Sequence, residues 1–282
     1  MNYTENSSLL ICVDIIYTNQ ERTVLGIIFM VKIKTPQEIK IMKQGGRILA
    51  TVMRELQKMA VPGITTNDLD RAAEALVLKL GGQCSFKGYR SEGKGNPYPA
   101  CICVSVNDEV VHMPPSDRVL KQGDVLAIDM GVLYQGFHTD MAITAPVGKV
   151  SPEASRLIRA TKKALKRGIK KVRPGNTLGD IGNTIQRYVE SQGFGVVRDL
   201  CGHGIGRDIH EDPKIVNYGK RGEGLALAEG MVICLEPMVA AGDFKLKKSA
   251  DGFGYLTADG SLSAHFEATV AITKRGAEVL TK

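Results

Sequence analysis

The sequence predicts an α+β protein made of two related halves that share an antiparallel sheet. Motifs of the first half recur in the same order in the second half, which is typical of a duplicated unit. Apolar stripes at helical spacing also alternate with short apolar runs that suit strands. With 282 residues, 43% of them hydrophobic, the chain can bury a large core. We expect one domain over residues 30–282, with halves of about 30–148 and 149–282.

The first 29 residues differ from the rest. Their apolar runs, residues 9–13 and 24–31, fall far short of the roughly 20 apolar residues that a membrane span needs. No basic segment and small-residue cleavage site mark a signal peptide. We expect residues 1–29 to be an N-terminal extension that is not part of the native protein, with Met30 as an alternative start, and we expect no membrane association.

Charge and cysteine usage limit the class of protein. The net charge of +7 is compatible with work near nucleic acid. The basic clusters 162–167 and 170–171 are nevertheless expected to be solvated helix faces. None of the six cysteines forms a C-x-x-C pair, so we expect neither a zinc ribbon nor a disulfide framework. A reduced, cytoplasmic compartment fits this pattern.

Four helices are expected, two in each half. Thr35 to Glu38 is a capping box with Pro at the first helical position, and Thr65 opens a second helix that stops at Gly81. Its expected buried stripe is Leu69, Ala72, Ala73, Leu76 and Leu80. In the second half, Ser151 begins a lysine-rich helix, and residues 177–192 form another.

Two acidic residues are expected to lie side by side in the first half. Asp129 and Asp140 stand eleven residues apart in two apolar runs joined by a Gly-containing connection, which predicts a β-hairpin. Buried paired carboxylates repel, so they share a proton or hold a cation. The alternative is that one Asp belongs to a turn and the other to a salt bridge.

A second copy of the pattern resolves this ambiguity. Residues 123–129 align with 230–236, which places Glu236 opposite Asp129, and residues 138–140 align with 265–267, which places Glu267 opposite Asp140. The helix entry at 62–69 recurs at 174–181. Four acids that meet where two halves join require metal, because no other charge compensates them.

The histidines fall in the same stretches as these acids. Carboxylates with one imidazole suit Fe(II), Co(II), Mn(II) or Zn(II), and four acids favour two bridged ions, which supports hydrolysis. His112 and His210 lie in turns rich in Gly or Pro, where a functional role is expected. His138 and His265 precede acids on strands and are expected to face away, either in structural roles or in support of the residues that hold the metal.

Several segments together resemble the type I methionine aminopeptidases, in their short bacterial form. The resemblance covers about residues 30–282. The segments that carry it are Asn107–His112, Ala127–Gly131, Thr139–Asp140, Cys201–Arg207, His210–Pro213, Leu235–Met238 and Ser261–Glu267.

The resemblance implies a pita-bread fold with two metal ions. Asp129 would bind one ion, His203 and Glu236 the other, and Asp140 and Glu267 would bridge them. His112 and His210 would contact the substrate amide, so that the implied catalytic residues are His112, His210 and Glu236. The implied reaction removes the initiator methionine from nascent chains whose second residue is small. The implied setting is a monomer that associates transiently with the ribosome.

A methionine pocket is implied as well. Its lining would be Tyr89, Tyr98, Cys103, Ile209 and Phe253, an apolar cup with a soft sulfur that suits a thioether. Residues 90–97 make the spacing between the two tyrosines longer than is usual in the family. Two alternatives remain: an X-Pro dipeptidase of the same fold, and a non-catalytic pita-bread protein that binds ribosomes or RNA.

Overall fold

The computed structural model describes residues 31–90 and 95–282. The predictions for residues 1–29 and for the start at Met30 therefore lie outside the described residues. Within them, the chain forms four α-helices and fifteen β-strands. None of these helices is both long enough and apolar enough to cross a membrane.

The first half begins with two helices and continues into strands. Its elements are α1 (Pro36–Met59), α2 (Thr66–Lys79), β1 (Gln83–Cys84), β2 (Ile102–Val106), β3 (Glu109–Val111), β4 (Val125–Tyr134) and β5 (Phe137–Pro146).

The second half repeats this order of helices followed by strands. Its helices are α3 (Pro152–Ile169) and α4 (Leu178–Ser191). Its strands are β6 (Gly195–Val196), β7 (Gly202–Gly204), β8 (Glu211–Ile215), β9 (Val232–Leu235), β10 (Met238–Ala240), β11 (Leu246–Lys248), β12 (Tyr255–Thr257), β13 (Ser263–His265), β14 (Ala268–Thr273) and β15 (Gly276–Val279).

Local capping fixes where the helices begin. Thr65 accepts the Asp68 backbone N–H, and the Asp68 carboxylate accepts the Thr65 backbone N–H. Thr177 and Asp180 do the same at the start of α4. Each box satisfies backbone donors that a helix start would otherwise leave unpaired. The predicted starts are confirmed, and the two halves match at this level of detail.

The sheets repeat in the same way. Strand β4 pairs with β5 through the tight turn at Gln135 and Gly136, whose φ angles are 48° and 80°. It also pairs with β2, as β9 pairs with β14 and β7. All strand pairs in the four sheets of the described chain are antiparallel, as predicted. The hairpin predicted around Asp129 and Asp140 is confirmed.

Each half has its own core. Helices α1 and α2 pack on β2 and β4, and α3 and α4 pack on β9 and β14. The halves join where β3 pairs with β12 and where the Glu267 N–H donates to the Ala142 carbonyl at 2.9 Å. Leu80, which was expected in the buried stripe of α2, is 40% exposed because α2 ends one residue earlier.

The cysteine prediction is wrong for Cys84 and Cys101, which form a disulfide with their Cα atoms 5.1 Å apart. Strands β1 and β2 pair with successive parts of one edge of β4, whose other edge pairs with β5 along its whole length, and this arrangement brings the two residues together end to end. Cys103 and Cys234 are free thiols, and both are buried.

Candidate functional site

The two aspartates lie on one face of the hairpin. Asp129 pairs with Ala142 and Asp140 pairs with Gly131, so the two acids are diagonal neighbours across the strands. Both side chains are buried. Burial raises the pKa of Asp140 to about 7, and burial together with the nearby Asp140 and Glu236 raises the pKa of Asp129.

The second half places two glutamates and a histidine against these aspartates. Glu236 directly follows β9, Glu267 directly precedes β14, and His203 is the central residue of β7. The His203 Nε2 atom lies 3.6 Å from Glu236 Oε1 and 4.0 Å from Glu267 Oε1. Its Nδ1 lies 2.8 Å from the Gly204 carbonyl, which can only accept a hydrogen bond. The proton is therefore on Nδ1, and the Nε2 lone pair points at the acids.

These residues fit a divalent metal centre. Oxygen atoms of Asp129, Asp140 and Glu267 lie within 4.8 Å of one another, as do ligand atoms of His203, Cys234 and Glu267. Asp129 Oδ1 and Glu267 Oε1 are buried without a hydrogen-bond partner in the described chain. Burial and the neighbouring acids raise the pKa of Glu267. A bound cation would relieve both the repulsion and the missing partners.

His112 and His210 face the same cavity. His112 follows β3 in a left-handed conformation, with φ 61°. His210 Nδ1 lies 2.7 Å from the Tyr89 hydroxyl, and its ring centre is 4.6 Å from that of His203. Burial lowers the pKa of His112 to about 4 and that of His210 well below its ordinary value. Both imidazoles are therefore neutral near pH 7 and keep one N–H donor each.

The expectation that His138 and His265 face away is wrong in its geometry. His138 lies two residues before Asp140 and so shares its face of β5, where its Nδ1 lies 2.8 Å from Ser85 Oγ. His265 Nε2 lies 3.7 Å from Glu236 Oε2. Neither ring nitrogen of His265 has a hydrogen-bond partner in the described chain. His265 therefore borders the acid cluster, on the face that its spacing of two residues from Glu267 indicates.

An open cavity of about 300 Å³ extends from the acids. Tyr89, Tyr98, Cys103 and Phe253 line it, as predicted, and Tyr98 meets Phe253 edge to face with ring centres 5.5 Å apart. Ile209 is buried but is not on the cavity wall; its side chain packs beside Gly131. The cavity wall also includes residues for which no role in binding was predicted. Among them are Phe86, Asn96, Val111, Leu200, Met238 and Lys248.

Two supporting contacts were not predicted. The Asp140 backbone N–H donates to Thr269 Oγ1, and the Thr269 hydroxyl donates to the Asp140 carbonyl, both at 2.8 Å. The Asn217 amide donates to the Glu236 carbonyl at 3.0 Å. Thr269 belongs to the second half and Asp140 to the first. This pair of bonds therefore fixes the two halves against each other at the acid cluster.

Comparison with known proteins agrees with this geometry. The sequence model of metallopeptidase family M24 matches residues 40–274. The methionine aminopeptidase of Clostridium perfringens is 47% identical over 252 residues, which cover 89% of this chain and 99% of that protein. The crystal structure of methionine aminopeptidase from Thermotoga maritima matches with a TM-score of 0.86 at 45% identity, covering 90% of this chain and 100% of that chain.

A more distant match is the prolidase from Pyrococcus furiosus. Its TM-score is 0.71 at 23% identity, with 92% of this chain and 67% of that chain covered, a likeness that shows the fold alone. The predicted pita-bread fold is confirmed by these structures. The chain belongs to metallopeptidase family M24.

Proposed function

We propose that this protein is a metal-dependent aminopeptidase that removes the N-terminal methionine from nascent polypeptides whose second residue is small. The observation that carries the proposal is the cluster of Asp129, Asp140, Glu267 and His203, all buried, with the partly buried Glu236, at one end of a cavity that has an apolar wall. Relatives named methionine aminopeptidase, 47% identical over most of the chain, support it.

The cluster would hold two divalent ions, Fe(II), Co(II), Mn(II) or Zn(II). Asp129 would hold one ion, His203 and Glu236 the other, and Asp140 and Glu267 would contribute to both. Carboxylate oxygens and an imidazole nitrogen are the donors that these ions prefer. When bound, the ions supply Lewis acidity, which lowers the pKa of water and polarises the scissile carbonyl.

His112, His210 and Glu236 then act on the substrate. Because burial keeps both imidazoles neutral, each can donate an N–H to the carbonyl oxygen as it gains negative charge. The Tyr89 hydroxyl, 2.7 Å from His210 Nδ1, holds that ring in place. Glu236 takes up the proton of the attacking water and returns it to the departing amine.

The cavity wall selects the side chain. Tyr98, Cys103 and Phe253 form an apolar cluster with Phe86, next to Ala100. An unbranched thioether fits such a wall and gains sulfur–aromatic contacts. Ile209 would act from behind the wall, by supporting the turn that carries His210.

Two alternatives are weaker. An X-Pro dipeptidase shares the fold, but the prolidase match is 23% identical whereas the methionine aminopeptidase structure is 45% identical. A non-catalytic protein that binds ribosomes or RNA would have no need for all four acids and His203, which this chain gathers in one cluster at the cavity.

The proposed substrate bears on where the protein works and what it associates with. We propose that residues 30–282 form one catalytic domain that works as a monomer in the cytoplasm. Its substrates are the N termini of nascent chains, so it would associate transiently with the ribosome.

One assay separates the candidate functions. Metal-loaded protein is incubated with Met-Ala-Ser and with an Ala-Pro peptide, and a chelator-treated sample serves as control. We expect methionine release from the first peptide alone, and none after chelation. Cleavage of the Ala-Pro peptide alone would support the dipeptidase. No cleavage of either peptide by metal-loaded protein would overturn the proposal.

A further inference from the structure

Helix α3 concentrates the positive charge of the whole protein. Residues 152–173 contain nine of the 37 lysines and arginines but one of the 30 acidic residues, Glu153, a net charge of +8. The whole chain carries +7, so the remaining 260 residues together are close to neutral. The excess charge therefore belongs to one helix and the turn that follows it.

Six of these residues form a single face. They are Arg156, Arg159, Lys163, Lys166, Arg167 and Lys170, here called the basic face, and all six are exposed. Their spacings of three and four residues place them on one side of α3. The opposite side, which includes Leu157, Ala160 and Ala164, is buried in the core of the second half. The basic face therefore spans about 21 Å of helix, at 1.5 Å per residue.

The structure does not neutralise the basic face. No residue of this face has an acidic partner within 4.0 Å in the described chain. Solvated helix faces gain from opposite charges three or four residues apart, whereas like charges at those spacings disfavour the helix. Here the six residues have one another as neighbours at these spacings, and the one acidic residue of the helix, Glu153, lies before Arg156 at its start. A polyanion bound against the face would remove that repulsion.

Two arginines of the face are held by aromatic rings. The Arg167 guanidinium lies 4.4 Å from the centre of the Tyr188 ring, and the Arg156 guanidinium lies 4.7 Å from that of Phe194. Stacking leaves the N–H edges of a guanidinium free to donate, and those edges match the geometry of phosphate oxygens.

An anionic membrane is a poorer partner than a nucleic acid. Helices that lie on membranes insert an apolar face, but the apolar side of α3 is already buried in the core. The exposed large apolar residues of the described chain lie elsewhere; they are Ile33, Val61, Leu78, Leu80 and Val119. A phosphodiester backbone needs no insertion and presents a dense row of charges.

We propose that the basic face of α3 docks on the phosphate backbone of structured RNA. The choice of RNA rests on the proposed function, because a nascent N terminus is attached to a particle built largely of RNA. None of the α3 residues lines the cavity, so docking leaves the active site open to a peptide. The sequence favoured a solvated face for these lysines and arginines. We change that interpretation because six of them lie on one side of α3 without an acidic partner in the described chain.

The test compares two variants of equal charge. One carries Arg159→Glu, Lys163→Glu and Lys170→Glu on the basic face. The control carries Lys40→Glu, Lys121→Glu and Lys274→Glu, at exposed positions off α3. Affinity for a fluorescent RNA hairpin is measured by anisotropy over a series of salt concentrations, and cleavage of Met-Ala-Ser is measured in parallel.

We expect the basic-face variant to bind RNA at least about 10-fold more weakly at moderate salt. The slope of log affinity against log salt should fall by about 1 for each phosphate that the protein no longer neutralises. The control should stay within about 3-fold of the unchanged protein. Peptide cleavage should be equal in all three proteins.

Three results would overturn the inference. They are no RNA binding by the unchanged protein, equal losses in both variants, or tighter face-dependent binding to polyglutamate or phosphatidylserine vesicles than to RNA. Loss of peptide cleavage in the unchanged protein would instead count against the proposed function.

Discussion

The two halves deliver equivalent carboxylates in different ways. In the first half, Asp129 and Asp140 lie inside the ten-residue strands β4 and β5. In the second half, Glu236 and Glu267 lie just outside β9 and β14. Continuing the register of β9 and β14 by one residue would place the two glutamates directly opposite each other, whereas the two aspartates are diagonal.

This difference relates the length of each acidic side chain to the position of its residue within or beyond a strand. An acid held within a paired strand is close to the cluster and needs a short side chain. An acid beyond the strand end needs one more methylene to reach the same point. The Asp pair and the Glu pair are therefore not interchangeable, although they occupy matching places in the repeat.

The largest expected effect on activity comes from removing an acid of the second half. Glu236→Ala should lower methionine release at least about 100-fold, because even residues that only support metal ligands cost about 10- to 100-fold when removed. The fold should survive, since one of four repelling carboxylates is gone. Circular dichroism and bound-metal analysis accompany the assay. Unchanged turnover would contradict the proposed ligand role.

The second prediction concerns His210, a residue of the second half whose ring contacts Tyr89 of the first half. His210→Ala should lower kcat on the order of 100-fold, because it removes a donor to the developing negative charge. Tyr89→Phe, which removes only the hydroxyl that orients His210, should lower kcat by a few-fold. Steady-state kinetics on Met-Ala-Ser measures both. Equal losses in the two variants would show that Tyr89 does more than orient the ring.

Exchanging the side-chain lengths of two acids tests the difference between the halves directly. Asp140→Glu and Glu267→Asp each keep the charge but change the reach by one methylene. We expect each to weaken metal binding about 10-fold, since a misplaced ligand oxygen resembles the removal of a supporting group. Calorimetric titration with Mn(II) checks this. Native affinity in both variants would refute the argument from length.

A pH series tests the first-half pair without metal. The pKa of Asp140 is about 7 in the folded protein and ordinarily 3.8, so between these values the folded state holds a proton that the unfolded chain has lost. The stability that this proton provides is present at low pH and is lost as pH rises toward 7. Asp140→Asn should therefore gain about 2 kcal/mol over the unchanged protein between pH 5 and 7.

Urea unfolding of both metal-free proteins measures this gap. Adding Mn(II) should remove the disadvantage of the unchanged protein at pH 7, because the cation compensates the carboxylate. Parallel pH profiles for the two proteins would exclude Asp140 as the source of the dependence.

The smallest expected effect concerns the helix starts, where the two halves are most alike. Thr65→Ala and Thr177→Ala each remove the side chain of a capping box, at the starts of α2 and α4. Each should cost about 1 kcal/mol of unfolding free energy, and the costs should add in the double variant. Thermal and urea unfolding give the values. A large inequality would show that the repeat does not extend to the energetics of its helices.

Features set by local chemistry or by the repeat could be predicted from the sequence. The starts of α2 and α4 follow from Thr65 and Thr177, and the meeting of the four acids follows from the repeat. Contacts that depend on distant parts of the chain could not be predicted. The Cys84–Cys101 disulfide needs β1 and β2 to pair with successive parts of one edge of β4, and the Thr269 hydroxyl reaches Asp140 only after the halves dock.

The positions of His138 and His265 were missed although each lies two residues before an acid, a spacing that places both side chains on the same face of a strand. Ile209 lies in a turn where the next side chain, His210, faces the cavity while its own side chain packs behind the cavity wall. The sequence around Ile209 does not show which of these two directions its side chain takes.

The exposed connection at residues 148–151 separates the two contributors to the acid cluster. A chain cut at this connection would divide the four carboxylates evenly, two on each fragment, and would leave His203 on the second fragment. Neither fragment could cleave a peptide, and turnover would return only on reassembly. The enzyme thus offers a natural break point for a split reporter, whose signal would count reunited fragments.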